Sequence, residues 1–184
     1  MLPTIRMTGT IAAAIFASTL VLASAGHPDL NQSADGKVAR AELRNPDGRT
    51  IGRAELRETP AGVLLHLTLT GAPAGVHALH LHETGRCEAP DFESAGGHAN
   101  PGGAEHGLMN PKGPHAGDLP NLHVPASGTL ELELLAARAE LGDGEMTLLD
   151  ADGAAVVMHA DPDDYRTDPA GAAGDRIACG VVEN

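Results

Sequence analysis

Apolar and polar residues alternate in short runs along much of the chain, with turn residues between the runs. Successive side chains on a strand point to opposite faces, so a period of two marks a strand with one buried face. In 63–70, Val63, Leu65, Leu67 and Leu69 fall on one face, and His66, Thr68 and Thr70 on the other. Leu130, Leu132 and Leu134 alternate with Thr129, Glu131 and Glu133 in the same way. Strands are expected at 37–44, with Ala39, Ala41 and Leu43 inward, and at 50–58, 75–83, 146–149, 154–159 and 176–182. A short helical turn fits 135–141. Asn45-Pro46-Asp47-Gly48 and Thr59-Pro60-Ala61-Gly62 read as turns. About eight short strands with no long amphipathic helix predict an all-β fold, an antiparallel sandwich or barrel.

The length of 184 residues suits one domain with a real core. Residues 1–25 read as a secretory signal peptide. Arg6 supplies its positive charge, 11–22 is an apolar run, and Ala23-Ser24-Ala25 is a small-residue cleavage site before Gly26. An uncleaved anchor is the competing reading, although the apolar run is short for a membrane span. No Cys follows the cleavage site, so a lipid anchor is not expected. Residues 26–36 are polar and expected to form a flexible N-terminal segment, with the folded domain at 37–184. Export puts the protein in the periplasm or outside the cell, where conditions are oxidising. The only two cysteines, Cys87 and Cys179, then suggest one disulfide, two buried thiols being the alternative. A net charge of −13 excludes non-specific nucleic-acid binding and disfavours anionic membranes.

The ten histidines carry the chemistry. In 75–83, His80 and His82 are two apart and share a strand face, while Leu79 and Leu81 take the other. Two converging imidazoles are half of a site for copper or zinc. A lone strand histidine is usually an ordinary polar residue, and His66 is read that way. Two long loops follow, 84–127 and 160–175, rich in Gly and Pro. Loops of that length in a compact domain are functional or disordered, and disorder would not account for His98, His106, His115 and Asp118 in the first. Three imidazoles and a carboxylate make a closed tetrahedral zinc site, and a loop can wrap round such an ion. His159 ends a later strand, and Asp163 follows four residues on. Metal-bound imidazoles commonly donate to such a carboxylate. His27 and His123 are assigned to no site.

Taken together, these pieces resemble the copper–zinc superoxide dismutases of the secreted, periplasmic bacterial type. The matching residues are His77-Ala78-Leu79-His80-Leu81-His82-Glu83, Ala95-Gly96-Gly97-His98-Ala99-Asn100-Pro101, His106, Pro114-His115-Ala116-Gly117-Asp118, Met158-His159, Asp163 and Gly174-Asp175-Arg176-Ile177-Ala178-Cys179-Gly180. They span nearly all of 37–184. The resemblance implies an eight-stranded antiparallel Greek-key β-barrel, a flattened sandwich. It implies that His80, His82, His98 and His159 bind copper. It implies that His98 also bridges to zinc, held further by His106, His115 and Asp118. Asp163 would link ligands of both metals, Cys87 and Cys179 would form the disulfide, Arg176 would lie beside the copper channel, and His77 would be structural. Where the family commonly has aromatic residues near the site, this chain has Leu79 and Ala99, which removes packing but no ligand.

The implied activity is disproportionation of superoxide to oxygen and hydrogen peroxide, using one copper and one zinc per subunit. In the family mechanism the bond between His98 and copper breaks on reduction, and the imidazole takes a proton. Superoxide is an anion and the chain is acidic, so attraction must be local. Arg176 is the natural guide and Lys112 a weaker one; the blander reading of Arg176 is an ion pair with Asp175. Among Asp161, Asp163, Asp164 and Asp168, only Asp163 is expected to have a specific role. A periplasmic metal buffer would use the same ligands but would not need Arg176. A cupin-like single-metal barrel would leave His106, His115, Asp118 and both cysteines without a purpose. Family members pair through different faces, so a homodimer is compatible with the sequence and no face is selected.

Overall fold

The computed structural model describes residues 36–145 and 147–184. The expected leader (1–25), all but the last residue of the expected flexible segment (26–36), and Met146 lie outside the described residues.

Nine strands are present among the described residues: β1 (Val38–Arg44), β2 (Thr50–Thr59), β3 (Gly62–Thr70), β4 (Gly75–His77), β5 (Leu79–His82), β6 (Leu122–Val124), β7 (Thr129–Ala136), β8 (Ala155–His159) and β9 (Arg176–Val181). The only helical element among them is one 3-10 turn, Glu93–Ala95. Seven strands form an antiparallel sheet in the order β5-β8-β9-β1-β2-β3-β7, and β4 pairs with β6. Neighbours far apart in sequence, such as β5 beside β8 and β1 beside β9, are the crossovers of a Greek key. The architecture is an all-β curled antiparallel sheet, in the class of antiparallel sandwich or barrel that the alternation predicts, with nine strands rather than about eight.

Period-two patterning accounts for the long strands. Val63, Leu65, Leu67 and Leu69 are fully buried, and they face Leu56 and Ala54 of β2 in one core. His66 lies on the outer face against Glu131, at 3.1 Å. Leu122 and Val124 of β6 enter the same core, so the small sheet shares it with the large one. Burying side chains of this kind contributes about 1.5–3 kcal/mol each.

Four expectations need correction. The run 75–83 is two strands, because the chain changes partner at Ala78. The Ala78 N–H donates to the Asp161 carbonyl and its C=O accepts from His159 N–H, both at 2.9 Å. Among the described residues of the segment expected at 146–149, 147–149 is not a strand: Thr147 makes one isolated bridge to Glu140, and Leu148 turns fully into the core while Leu149 is only partly buried. The loop 84–127, expected to lack regular structure, contains β6. At 135–141 the chain continues β7 as far as Ala136 and only then turns.

Candidate metal centre

β5 delivers His80 and His82, and β8 ends on His159. One edge of β5 pairs with β8. Its other edge is taken by the first long loop, which brings in the remaining groups. Glu83 N–H donates to the Gly97 carbonyl at 3.0 Å, Ala99 N–H to Leu81 O at 2.8 Å, and Leu81 N–H to Gly117 O at 2.9 Å. These bonds set His98 and Asp118 beside the strand, as isolated bridges from His82 to His98 and from His80 to Asp118. Backbone groups that a sheet edge leaves unpaired therefore serve to dock a loop carrying ligands.

Two four-residue clusters result that share one residue, and a smaller group of His80, His106 and Asp163 links them. His80, His82, His98 and His159 each bring a side-chain ligand atom within 4.8 Å of the others, and His98, His106, His115 and Asp118 do the same. All seven residues are buried. In the second cluster, Asp118 Oδ1 lies 2.9 Å from His98 Nδ1, 3.0 Å from His106 Nδ1 and 3.3 Å from His115 Nδ1. His115 Nδ1 is 3.4 Å from His98 Nδ1. Ligands about 2.0–2.1 Å from a tetrahedral zinc stand about 3.3 Å apart, so the donors already have the spacing of a zinc shell. Asp118 Oδ2 accepts from the Gly107 and His115 amides at 2.8 and 3.0 Å, which fixes the carboxylate.

In the first cluster, Nδ1 of His80 and Nε2 of His82, His98 and His159 are buried and have no hydrogen-bond partner among the described residues. Four orphaned ring nitrogens converging on one place are costly unless a cation takes their lone pairs. Their other nitrogens are occupied. His80 Nε2–H donates to Asp163 Oδ2 at 2.9 Å, and His82 Nδ1–H to the Gly96 carbonyl at 3.0 Å. His159 Nδ1–H donates to Gly174 O at 3.3 Å. The tautomers set by these bonds leave the orphaned atoms free to ligate.

The electrostatics of the two halves differ. Burial lowers three imidazoles of the first cluster: His80 to about 4, His159 to about 3 and His82 well below its ordinary value, with neighbouring imidazoles adding to the effect. These three are neutral, the form that metal ligation needs. Burial alone would also lower His106, but its hydrogen bonds to Asp118 and Asp163 outweigh it and hold the ring up at about 9. Burial opposes ionisation of both carboxylates, and hydrogen bonds from His106 and its neighbours nonetheless hold them well below the usual range. Two carboxylates flanking one imidazole call for positive charge, which a divalent cation among the His98, His106, His115 and Asp118 donors would supply.

Asp163 spans the halves. Its Oδ1 is 3.0 Å from His106 Nε2, its Oδ2 bonds His80, and Tyr165 N–H donates to Oδ1 at 2.6 Å. Asn121 clamps the same residue from behind: its Oδ1 accepts the Asp163 amide at 2.8 Å and its Nδ2 donates to the Asp163 carbonyl at 2.9 Å. His77 Nδ1–H donates to the His159 carbonyl at 2.9 Å, a structural contact.

Arg176 reaches the first cluster from β9. Its guanidinium donates to the carbonyls of Phe92 and Gly96, both at 2.7 Å, and makes no ion pair among the described residues, with Asp175 or otherwise. A partly buried cation without a carboxylate partner suits an anionic ligand. It lines a cavity of about 460 Å³ together with His82, His98 and His159. Lys112, the weaker candidate, is paired with Glu105 at 2.8 Å. Cys87 and Cys179 form a disulfide joining the first loop to β9.

A sequence model of the family described as copper/zinc superoxide dismutase matches residues 50–182. The chain belongs to the copper/zinc superoxide dismutase family. "Superoxide dismutase [Cu-Zn] 2" of Aquifex aeolicus is 47% identical over 170 residues, covering 91% of this chain and 96% of that protein. The Cu-Zn dismutase of Caulobacter vibrioides is 44% identical over 148 residues, covering 79% and 85%. Among solved structures, a SOD-like protein from Bacillus subtilis superposes with a TM-score of 0.75 at 40% identity, over 77% of this chain and 96% of its own. The Cu/Zn dismutase from Brucella abortus gives 0.65 at 28%, over 80% and 100%. As a member, this chain disproportionates superoxide with copper and zinc.

Asn121 was not singled out by residue type, Glu83 was given no role within the matched motif, and Asp168 was expected to have no specific role. Asp168 corrects an expectation: its carboxylate accepts the His106 amide at 2.7 Å and tethers one long loop to the other. Asp164 also has a specific contact, capping the turn at Thr167. Gly171, at φ 63°, packs against the Asp163 carboxylate, and a Cβ there would fall 1.9 Å from Asp163 Oδ1. Gly171→Ala therefore displaces Asp163, and zinc affinity is expected to fall by about 10–100-fold, measurable by chelator competition. An affinity equal to that of the parent would mean that Asp163 can move without cost to the site.

Proposed function

We propose that His80, His82, His98 and His159 hold the copper of this dismutase. His98, His106, His115 and Asp118 would hold the zinc, His98 being common to both sets. The observation that carries the assignment is the split of His98: its Nδ1 lies in the tetrahedral cluster with Asp118, and its Nε2 is one of the four orphaned nitrogens. Copper supplies, when bound, a one-electron couple alternating between Cu(II) and Cu(I), so that one superoxide is oxidised to oxygen and the next is reduced to peroxide, while zinc supplies a fixed charge.

The chain's residues do the rest. Arg176 draws the anion into the cavity and orients it beside His82, His98 and His159. His98 Nε2 holds a proton in one half of the cycle and returns it in the other, and two protons complete the hydrogen peroxide. Asp163 keeps His80 and His106 in their ligating tautomers. The arrangement favours turnover over metal buffering, because a buffer has no use for a guanidinium held open at a channel.

We further assign 1–25 as a cleaved leader, 37–184 as the catalytic domain, and the periplasm or exterior as the location. The leader composition and a disulfide that needs oxidising conditions support this reading. Metal analysis of two variants tests the site assignment. His159→Ala is expected to lose copper and keep zinc, while His115→Ala is expected to lose zinc affinity first. Loss of the same metal from both variants would contradict it.

A further inference from the structure

The peptide unit between Gly96 and Gly97 is a junction. Its carbonyl accepts from His82 Nδ1–H at 3.0 Å and from Arg176 Nη2–H at 2.7 Å. One oxygen therefore orients both a metal-site imidazole and the guanidinium at the channel. The N–H on the other end of the same unit donates to Glu83 Oε1 at 2.9 Å, and the Glu83 amide returns a bond to Gly97 O at 3.0 Å. Glycines flank the peptide on both sides, and Gly96 sits at φ 74°, ψ −153°. A Gly–Gly peptide has little steric resistance to turning over. A flip would carry the carbonyl away from both donors.

We propose that Glu83 is a positioning residue that locks this peptide. Its carboxylate, on the amide side, stops the flip and polarises the unit, which strengthens the carbonyl as an acceptor for His82 and Arg176. The same carboxylate is exposed and lines the cavity that Arg176 serves. Its charge therefore opposes the entry of an anion. Glu83 orders the anion-guiding arginine and at the same time holds back the anion. The proposal rests on the assignment of the first cluster to copper.

Glu83→Gln and Glu83→Ala separate the two effects, since both remove the charge and only Ala removes the acceptor. The probes are amide exchange at Gly97 in the metal-loaded protein and azide binding followed by visible absorption of Cu(II). In Glu83→Ala, Gly97 is expected to exchange about fivefold to tenfold faster, the loss of one hydrogen bond, and in Glu83→Gln at the parental rate. Azide should bind Glu83→Gln about twofold to threefold more tightly than the parent at low salt, the gain shrinking as salt screens the charge. Glu83→Ala should bind it more weakly than Glu83→Gln. Parental exchange at Gly97 in Glu83→Ala, or equal azide affinity in the two variants, overturns the proposal. Failure of the copper assignment has a different signature: azide would bind no variant, the parent included, while the Gly97 exchange would still report the lock.

Discussion

Asp163→Asn is expected to weaken metal binding by about 10–100-fold, the usual cost of losing a group that orients ligands. The carboxylate accepts from His80 on one oxygen, and from His106 and Tyr165 on the other. An amide of the same shape has one accepting oxygen and one donating nitrogen. Whichever way it turns, one imidazole meets an N–H instead of an acceptor. That ring must move its proton to the other nitrogen, and the other nitrogen is the one proposed to bind metal. The negative charge that draws a cation to the His106 side is lost as well. Competition with chelators, run separately for copper and zinc, checks this. Parental affinity at both sites would mean that Asp163 does not control the tautomers.

Replacing Cys87 and Cys179 together by Ser is expected to cost the metal-free protein about 4–5 kcal/mol, from the chain-entropy estimate for a loop of 92 residues. Stabilities of whole domains are about 5–15 kcal/mol, so this is a large share. At about 2–4 °C per kcal/mol for a chain of this size, Tm should fall by about 8–20 °C. Function should suffer too. Both carbonyls that hold Arg176, those of Phe92 and Gly96, lie just beyond Cys87 in the segment the disulfide ties to β9. Calorimetry of the parent and the double variant measures the first effect. A shift of only a degree or two would mean that hydrogen bonds alone hold that loop in place.

The parts of the fold that were legible in the sequence are those where one face is apolar over many residues. β3 and β7 read correctly because four and three leucine-class residues alternate without interruption. β6 is three residues long and lies between Pro120 and Pro125, so it offers no period to see. Leu148 and Leu149 suggested a strand, but packing uses Leu148 and leaves Leu149 only partly buried. The break at Ala78 arises from hydrogen bonds to Asp161 and His159, over 80 positions away, and no local pattern carries that information.

The site was legible where chemistry restricts residue type. Imidazoles and one carboxylate at family spacing named every member of both clusters, and Asp163 with them. The residues whose contacts were not foreseen work through backbone groups. Asn121 holds the main chain of Asp163, Asp168 the amide of His106, and Glu83 the amide of Gly97. Every residue except proline offers a backbone amide, so nothing about the partner's identity marks these contacts in advance.

Superoxide decay followed by stopped flow, with the protein carrying one copper and one zinc, tests the central claim most directly. Catalytic decay is expected in the parent and decay about tenfold slower in Arg176→Ala, in keeping with loss of local anion steering, at unchanged metal content. Fully loaded protein that leaves the uncatalysed rate unchanged would contradict the account, and so would an Arg176→Ala variant as fast as the parent.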